Sequence, residues 1–342
     1  MLAPFAKREV VRPFEIPGVN VFAGNELDPN DTPDAALIFG GDGTLHHHLG
    51  TLAAKKIPTL PVPIGSANDF AATIGIHSVA DALAVWERFV KRGTNTVLMD
   101  LGTIQPLHPF EAAEMLPAAE NNPADEPWQS ESLENLHFVP DGPRPDLPQL
   151  GSRIGLWERR RWIDASLEMD RTHYFTCVAG TGLDAVVSRE IMKQPRWLRS
   201  HGGYVWALVQ SLPRFKPPQI TVSLQIDGDW QTPIREPGML VAAGNGPQYG
   251  SGMRVAHLAD MDDGLLDACF VRQLSKLRLL RLFPAVFRGA HIGLKEVEYW
   301  KATRVRIQTD PTMDLYADGE YVCPTPVELG VKREALLVIT PS

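Results

Sequence analysis

Ala35–Phe39 (AALIF) is a short, wholly apolar run that stops at Gly40-Gly41, the pattern of a buried strand feeding a glycine turn. Leu45–Lys55 follows with helical character. Pro58–Ile64 (PTLPVPI) is a second apolar run with prolines at its margins. It gives way to Gly65-Ser66-Ala67-Asn68-Asp69-Phe70, where Asn68 or Asp69 is placed to cap a helix running to about Ile74. Across Ser78–Arg92, Val79, Leu83, Val85, Trp86, Phe89 and Val90 fall on one apolar helix face. Thr94–Leu101 (TNTVLMDL) reads as a third strand. Strands alternating with helices predict a parallel sheet and therefore an α/β first domain.

Beyond residue 150 the texture changes. Tyr174–Val178, Gln219–Ile226, Met239–Ala243, Leu266–Val271, Arg304–Gln308 and Ala335–Ile339 read as strands. Turn dipeptides separate several of them, among them Asp227-Gly228, Asp263-Gly264 and Asp318-Gly319. Helical stretches are fewer: Leu183–Met192, Tyr204–Leu212 and about Ser275–Arg288. The second part is thus mainly β and is expected to be a sandwich. A length of 342 residues fits two domains.

Charge refines the domain map. The chain carries 33 basic and 41 acidic residues, a net −8. Gln105–Leu150 alone holds nine acidic residues against one basic, Arg144, and nine of the 29 prolines, so the remainder is balanced. Proline fits neither helix interiors nor central strands. The segment is read as an inserted surface loop, dividing the chain into 1–104, 105–150 and 151–342, with the last residues available to pack back on the first domain. There are no internal repeats. Cys177, Cys269 and Cys323 are odd in number and widely spaced, which excludes a disulfide framework or zinc spacing and favours a reducing compartment. No apolar run reaches the ~18 residues of a membrane span. Met1–Arg12 lack the apolar core of a secretory signal, so a cytoplasmic location is expected. The acidic total excludes a general nucleic-acid binder.

Candidate chemistry starts at Gly40-Gly41-Asp42-Gly43-Thr44. Glycines at a strand end let the backbone approach a phosphate, and the following helix start favours anions. An aspartate among them would repel phosphate, so Asp42 implies a cation such as Mg²⁺ or a specific hydrogen-bonding duty. No G-x-x-x-x-G-K-[ST] sequence is present, so this is not a P-loop. Read alone, Asp318-Gly319 and Asp262-Asp263-Gly264 are hairpin turns.

Together, Gly-Gly-Asp-Gly-Thr and Gly65-Ser66-Ala67-Asn68-Asp69-Phe70-Ala71 resemble the diacylglycerol kinase catalytic-domain family, which includes bacterial lipid kinases and sphingosine kinases and belongs with the NAD kinases in one superfamily. Further motifs in the same order are similar to that family: Asp100-Leu101-Gly102, Ala179–Ala185 (AGTGLDA), Gly244-Asn245-Gly246 through Gly250-Ser251-Gly252-Met253, Asp260–Asp267 (DMDDGLLD) and Asp318-Gly319-Glu320. The resemblance implies a doubly wound nucleotide-binding α/β domain, a C-terminal β-sandwich domain and an active site in the cleft between them. It implies ATP- and Mg²⁺-dependent phosphorylation of a lipid hydroxyl. By it Gly40, Gly41, Asp42, Gly43, Thr44, Ser66 and Asn68 would hold nucleotide, Asp42 and Asp69 would position phosphate, metal or acceptor, Asp318 would be the general base and Glu320 its assistant. Asp260, Asp263 and Leu265 would form a second, structural Mg²⁺ site.

Two positions depart from the pattern. The family opens with a strand ending in an Asn-Pro loop, absent from Met1–Phe39, where Glu9–Phe14 is the candidate replacement. After Gly-Gly-Asp-Gly-Thr-Leu it usually has Asn-Glu, where this chain has His46-His47. Both lie on the nucleotide side, so a catalytically silent lipid- or nucleotide-binding homologue stays open beside the kinase, as does a kinase for a soluble acceptor such as NAD. His46-His47-His48 cannot converge on one metal, because successive helical residues point about 100° apart. Their reading is solvent-facing and turn-facing imidazoles. Arg159-Arg160-Arg161 reads as a solvated face. Arg278, Arg281 and Arg288 share a helix face that suits either packing at the core's edge or an anionic lipid surface. The partners expected are a lipid substrate, the inner face of a membrane and a second copy of the chain.

Overall fold

The computed structural model describes residues 8–22, 24, 32–107, 172–194 and 203–341. The bulk of the acidic insertion and Arg159-Arg160-Arg161 lie outside the described residues.

The first half starts with α1 (Arg8–Val11) and a 3₁₀ turn at Arg12–Phe14. Glu9–Phe14 is therefore helical rather than the replacement first strand that the sequence allowed. Phe14 sits edge-on to Phe39, and its carbonyl accepts the Trp86 indole N–H at 3.1 Å. Then come β1 (Ala36–Gly40), α2 (Asp42–Lys55), β2 (Thr59–Pro63), α3 (Asp69–Thr73), α4 (Val79–Arg92) and β3 (Thr96–Pro106). The boundaries of α4 follow from its ends. The Ser78 hydroxyl accepts the Asp81 N–H, and Gly93 stops the helix at φ +66°. Ala82, Val85 and Trp86 are its buried face, while Val90 is exposed. β3 continues to Pro106, two residues into the segment read as insertion.

The second half holds β4 (His173–Phe175), β5 (Val178–Gly182), α5 (Leu183–Met192), α6 (Gly203–Ser211), β6 (Gln219–Ile226), β7 (Asp229–Trp230), β8 (Ile234–Gly244) and β9 (Leu266–Arg272). There follow α7 (Lys276–Leu282), which turns 3₁₀ at Phe283 ahead of Pro284, then β10 (Val297–Ala302), β11 (Arg304–Asp310), β12 (Asp314–Ala317), β13 (Glu320–Pro324) and β14 (Val327–Ile339).

The chain folds as an N-terminal α/β domain and a C-terminal β-rich domain of the sandwich kind. β1 and β2 run parallel, and β14 joins them in parallel through Val338 opposite Thr59. β3 lies antiparallel to β14 over ten residue pairs. The position beside β2 that a simple β-α-β succession would give to β3 belongs to β14. An apolar run reveals a strand and not its direction, so the sequence did not encode this order.

Two long strands change partners along their length. The first residues of β8 pair with β6, and its later ones pair with β5 and β9. The switch falls at Gly238, where a Cβ would lie 2.5 Å from the Phe270 ring and 2.7 Å from Ile220. β14 pairs with β11 in its first half and reaches β2 in its second. The sandwich core holds Phe175, Val222, Val241, Phe270, Val305 and Leu329. A second core joins α2 (Leu45, Leu49, Leu52) to Phe70, Leu101, Tyr249, Met253, Met261 and Leu336, so apolar packing is continuous from one half to the other. All three cysteines are free and buried.

Candidate active site

The glycine turn is tighter than the sequence pattern indicated. Helix α2 begins at Asp42, three residues before Leu45, with Gly41 as its extended N-cap. A Cβ on Gly41 would fall 2.3 Å from the Ala67 carbonyl oxygen, and one on Gly65 would fall 2.4 Å from Gly41 Cα. The two motif loops therefore lie backbone against backbone, which only glycines permit. Gly65 N–H and Ile64 N–H donate to the Gly40 carbonyl at 3.2 and 3.1 Å, and Asp42 N–H donates to Ala67 O at 3.2 Å. Asn68 closes the second loop on itself. Its Oδ1 accepts Gly65 N–H and its Nδ2 donates to Gly65 O, each at 3.0 Å. Ser66 is left exposed at the tip.

Neither Asn68 nor Asp69 caps α3 with its side chain; Asp42 does, from the other motif. Its carboxylate accepts Asp69 N–H at 2.8 Å and Phe70 N–H at 3.1 Å. Asp69 in turn accepts Ser251 N–H and Gly252 N–H, both at 2.8 Å, and so reaches into the second half. Asp318 comes from that half. Ala317 opposes Glu320, leaving Asp318 (φ +50°) and Gly319 (φ +85°) as the two central residues of a hairpin turn with both φ positive. The Asp318 side chain is wholly buried. Its Oδ2 accepts the Thr176 N–H at 2.7 Å and the Thr176 hydroxyl at 3.0 Å. Its Oδ1 accepts Cys177 N–H at 2.9 Å and Val178 N–H at 3.3 Å. Glu320 lies against the start of α2, where a Cβ on Gly43 would fall 2.3 Å from its Oε1. That end of a helix favours negative charge.

Asp42, Asp69 and Asp318 thus share one buried region fed by both halves. Burial and then repulsion from Asp69 push the Asp42 carboxyl up to about 7, and burial raises Asp69 as well. Burial and the three carboxylates hold the Cys177 thiol well above its ordinary range, so it stays protonated and unreactive. Beside them a shallow crevice opens at the carboxyl ends of β1 and β2, lined by Gly40, Gly41, Asp42, Pro63, Asn68 and Phe70. This is where open α/β sheets bind ligands. Enclosed space there holds no more than about one water, so it is a dimple against the glycine turn and not a whole small-molecule pocket.

Other motif residues are structural. The buried Asp100 carboxylate accepts Gly264 N–H and Glu334 N–H, each at 2.8 Å, pinning the Asp260–Gly264 turn to the break in β14. Asp184 accepts the Tyr204 and Tyr249 hydroxyls at 2.8 and 2.5 Å. Asp260, Asp263 and Leu265 lie together in the turn before β9. Asp263 Oδ1 accepts Leu265 N–H at 2.9 Å and Oδ2 accepts the Lys301 ammonium at 2.6 Å. Lys301 also lies 3.6 Å from the buried Asp267 carboxylate.

The three histidines point three ways. His47 is exposed and His48 is buried, where desolvation lowers it to about 4. His46 Nδ1 lies 3.5 Å from Asp318 Oδ2. The sequence reading missed this and the Thr176 contacts. The available signal was spacing, since His46 follows Asp42 by four residues and shares its helix face.

Residues 20–104 match the family model described as the diacylglycerol kinase catalytic domain, and residues 177–340 match the YegS C-terminal NAD kinase beta sandwich-like domain. The chain is 29% identical over 308 residues to a diacylglycerol kinase of Mycobacterium tuberculosis, covering 90% of this chain and 77% of that protein. To a Chromohalobacter salexigens protein named as a probable YegS-like lipid kinase it is 25% identical over 285 residues, 82% of this chain and 68% of the other. A solved Bacillus anthracis structure assigned to the diacylglycerol kinases is similar in fold, with a TM-score of 0.53 at 17% identity, over 90% of this chain and 78% of that one.

Proposed function

The chain belongs to the diacylglycerol kinase catalytic-domain family, and from that premise we propose that it is a lipid kinase, moving the γ-phosphate of ATP to the hydroxyl of a diacylglycerol-like or sphingoid acceptor. One observation carries the reading: Asp42, Asp69 and Asp318, from three separate motifs and both halves of the chain, meet in one buried region. Phosphoryl transfer is chiefly positioning and charge neutralisation, with a carboxylate behind the nucleophile. The start of α2 turns the positive end of its helix toward phosphate, and the Gly41–Gly65 contact fixes where that start lies. Asp42 and Asp69 hold the two loops and the Ser251-Gly252 turn in register. Asp318 supplies the negative charge that drives loss of the hydroxyl proton.

Mg²⁺ fits this side of the site. Among the described residues no three acidic, His or Cys side chains form a cage, and Mg²⁺ is commonly held by one or two carboxylates together with substrate phosphates. Asp42 and Asp69 are the carboxylates available, and the metal would neutralise phosphate charge.

The acceptor's source is a membrane surface. Among the described residues no helix is long and apolar enough to cross one. Helix α6 meets the 3₁₀ turn after α7 where the Tyr204 and Phe283 rings stack, 6.3 Å between centroids. Trp206 is 52% and Leu277 79% exposed, and Arg281 and Arg288 are exposed as well. Exposed apolar residues with exposed cations suit an anionic bilayer.

The test is transfer of labelled γ-phosphate to diacylglycerol, ceramide, sphingosine, phosphatidylglycerol and NAD. Transfer to a lipid, lowered about 10²–10⁴-fold in Asp318→Asn, is expected. Transfer to NAD alone, or an absence of both transfer and calorimetric ATP binding, overturns the proposal.

A further inference from the structure

We propose that His46 receives the proton of the acceptor hydroxyl, with Asp318 behind it as the carboxylate that orients the imidazole. This rests on the kinase reading and changes who meets the substrate. An ionised carboxylate has about four acceptor positions. Those of Asp318 face three main-chain N–H groups and the Thr176 hydroxyl, and none of its side chain is exposed. A hydroxyl arriving from the cleft has no open approach to it. His46 is less enclosed: its side chain keeps 16% exposure, while its Nδ1 is buried, faces Asp318 Oδ2 at 3.5 Å and has no hydrogen-bond partner.

An unprotonated Nδ1 would set its lone pair against a carboxylate, so the proton belongs on Nδ1 and the lone pair on Nε2. The 3.5 Å separation exceeds a formed hydrogen bond. Such contacts are often long in substrate-free enzymes and tighten with substrate. In the step itself the hydroxyl oxygen bonds to the γ-phosphorus. The bond from that phosphorus to the β–γ bridging oxygen breaks, and ADP leaves with the electron pair. The hydroxyl proton passes to His46 Nε2. The imidazolium is then held by Asp318 and releases its proton to solvent after product leaves.

The experiment compares wild type, His46→Ala, His46→Asn and Asp318→Asn on whichever of dioctanoylglycerol and sphingosine the wild type phosphorylates, with thermal melts to confirm folding. Both His46 variants are expected to lose about 10²–10⁴-fold in kcat with KM for ATP little changed. Added imidazole should restore part of the rate to His46→Ala and none to Asp318→Asn. Undiminished kcat in His46→Asn overturns the inference, as does a His46→Ala enzyme that imidazole leaves as slow as before. A wild type inert towards every lipid fails one step earlier and overturns the kinase reading itself.

Discussion

At Asp318-Gly319 the turn and the chemistry use the same two residues. The positive φ values that make the hairpin also aim the carboxylate at the N–H groups of residues 176–178. The dipeptide was legible as a turn from its residue types, and its motif context pointed to a role, but its hydrogen-bond partners lie about 140 residues away and could not be read. His46 was misjudged differently. The geometric argument against a three-histidine metal site is sound, yet it says nothing about what each ring does singly. Asp42 gives a pH prediction. Its folded-state value of about 7 lies above the ~3.9 of an unfolded aspartate. The stability this group contributes is complete below about pH 4 and is lost as pH rises through about 7, at up to about 1.4 kcal/mol per pH unit. Urea unfolding of the ligand-free protein between pH 4 and 8 should show a shallower slope in Asp42→Asn than in wild type; an unchanged slope refutes the assignment. Gly43→Ala should leave the melting temperature nearly unchanged and lower kcat, because the added methyl meets only the movable end of Glu320.

Among the elements, α2 was read three residues short because Gly-Asp-Gly-Thr are poor helix formers. Tertiary contacts extend it: the Asp42 carboxylate is held by α3, and Gly41 is seated on the neighbouring loop. Gly41→Ala should therefore differ sharply from Gly43→Ala. Its methyl meets the Ala67 carbonyl, which is main chain, and a loss of roughly 1–3 kcal/mol is expected, as for overpacking elsewhere. Thermal or urea unfolding of the two variants side by side decides it. Asp100→Ala strands two N–H groups, on Gly264 and Glu334, and should also cost roughly 1–3 kcal/mol by the same measurement. The motif Asp100-Leu101-Gly102 marked this position, while its partners, one of them in the last strand, were invisible to any local pattern.

For the whole molecule, the division into an α/β and a β-rich half could be read from texture alone, because helix and strand periods differ. The order of strands could not, since pairing between residues 59 and 338 leaves no mark on either neighbourhood. Surface chemistry was half legible: the arginines of α7 stood out in sequence, whereas the exposure of Trp206 needed the fold. Trp206→Glu with Leu277→Glu should abolish sedimentation with phosphatidylglycerol vesicles, yet leave turnover of a short-chain, water-soluble acceptor intact. Binding unchanged by both substitutions would place the membrane contact elsewhere.

The place of β14 has a consequence for the newborn protein. As the chain leaves the ribosome, β1, β2 and β3 emerge in succession, but the strand that sits between β2 and β3 follows only after β4 to β13. Until Val338 has been added, the half that carries the glycine turn is an open sheet with an unpaired edge, a shape prone to wrong partners. The nucleotide side is begun before the β-rich half and closed after it.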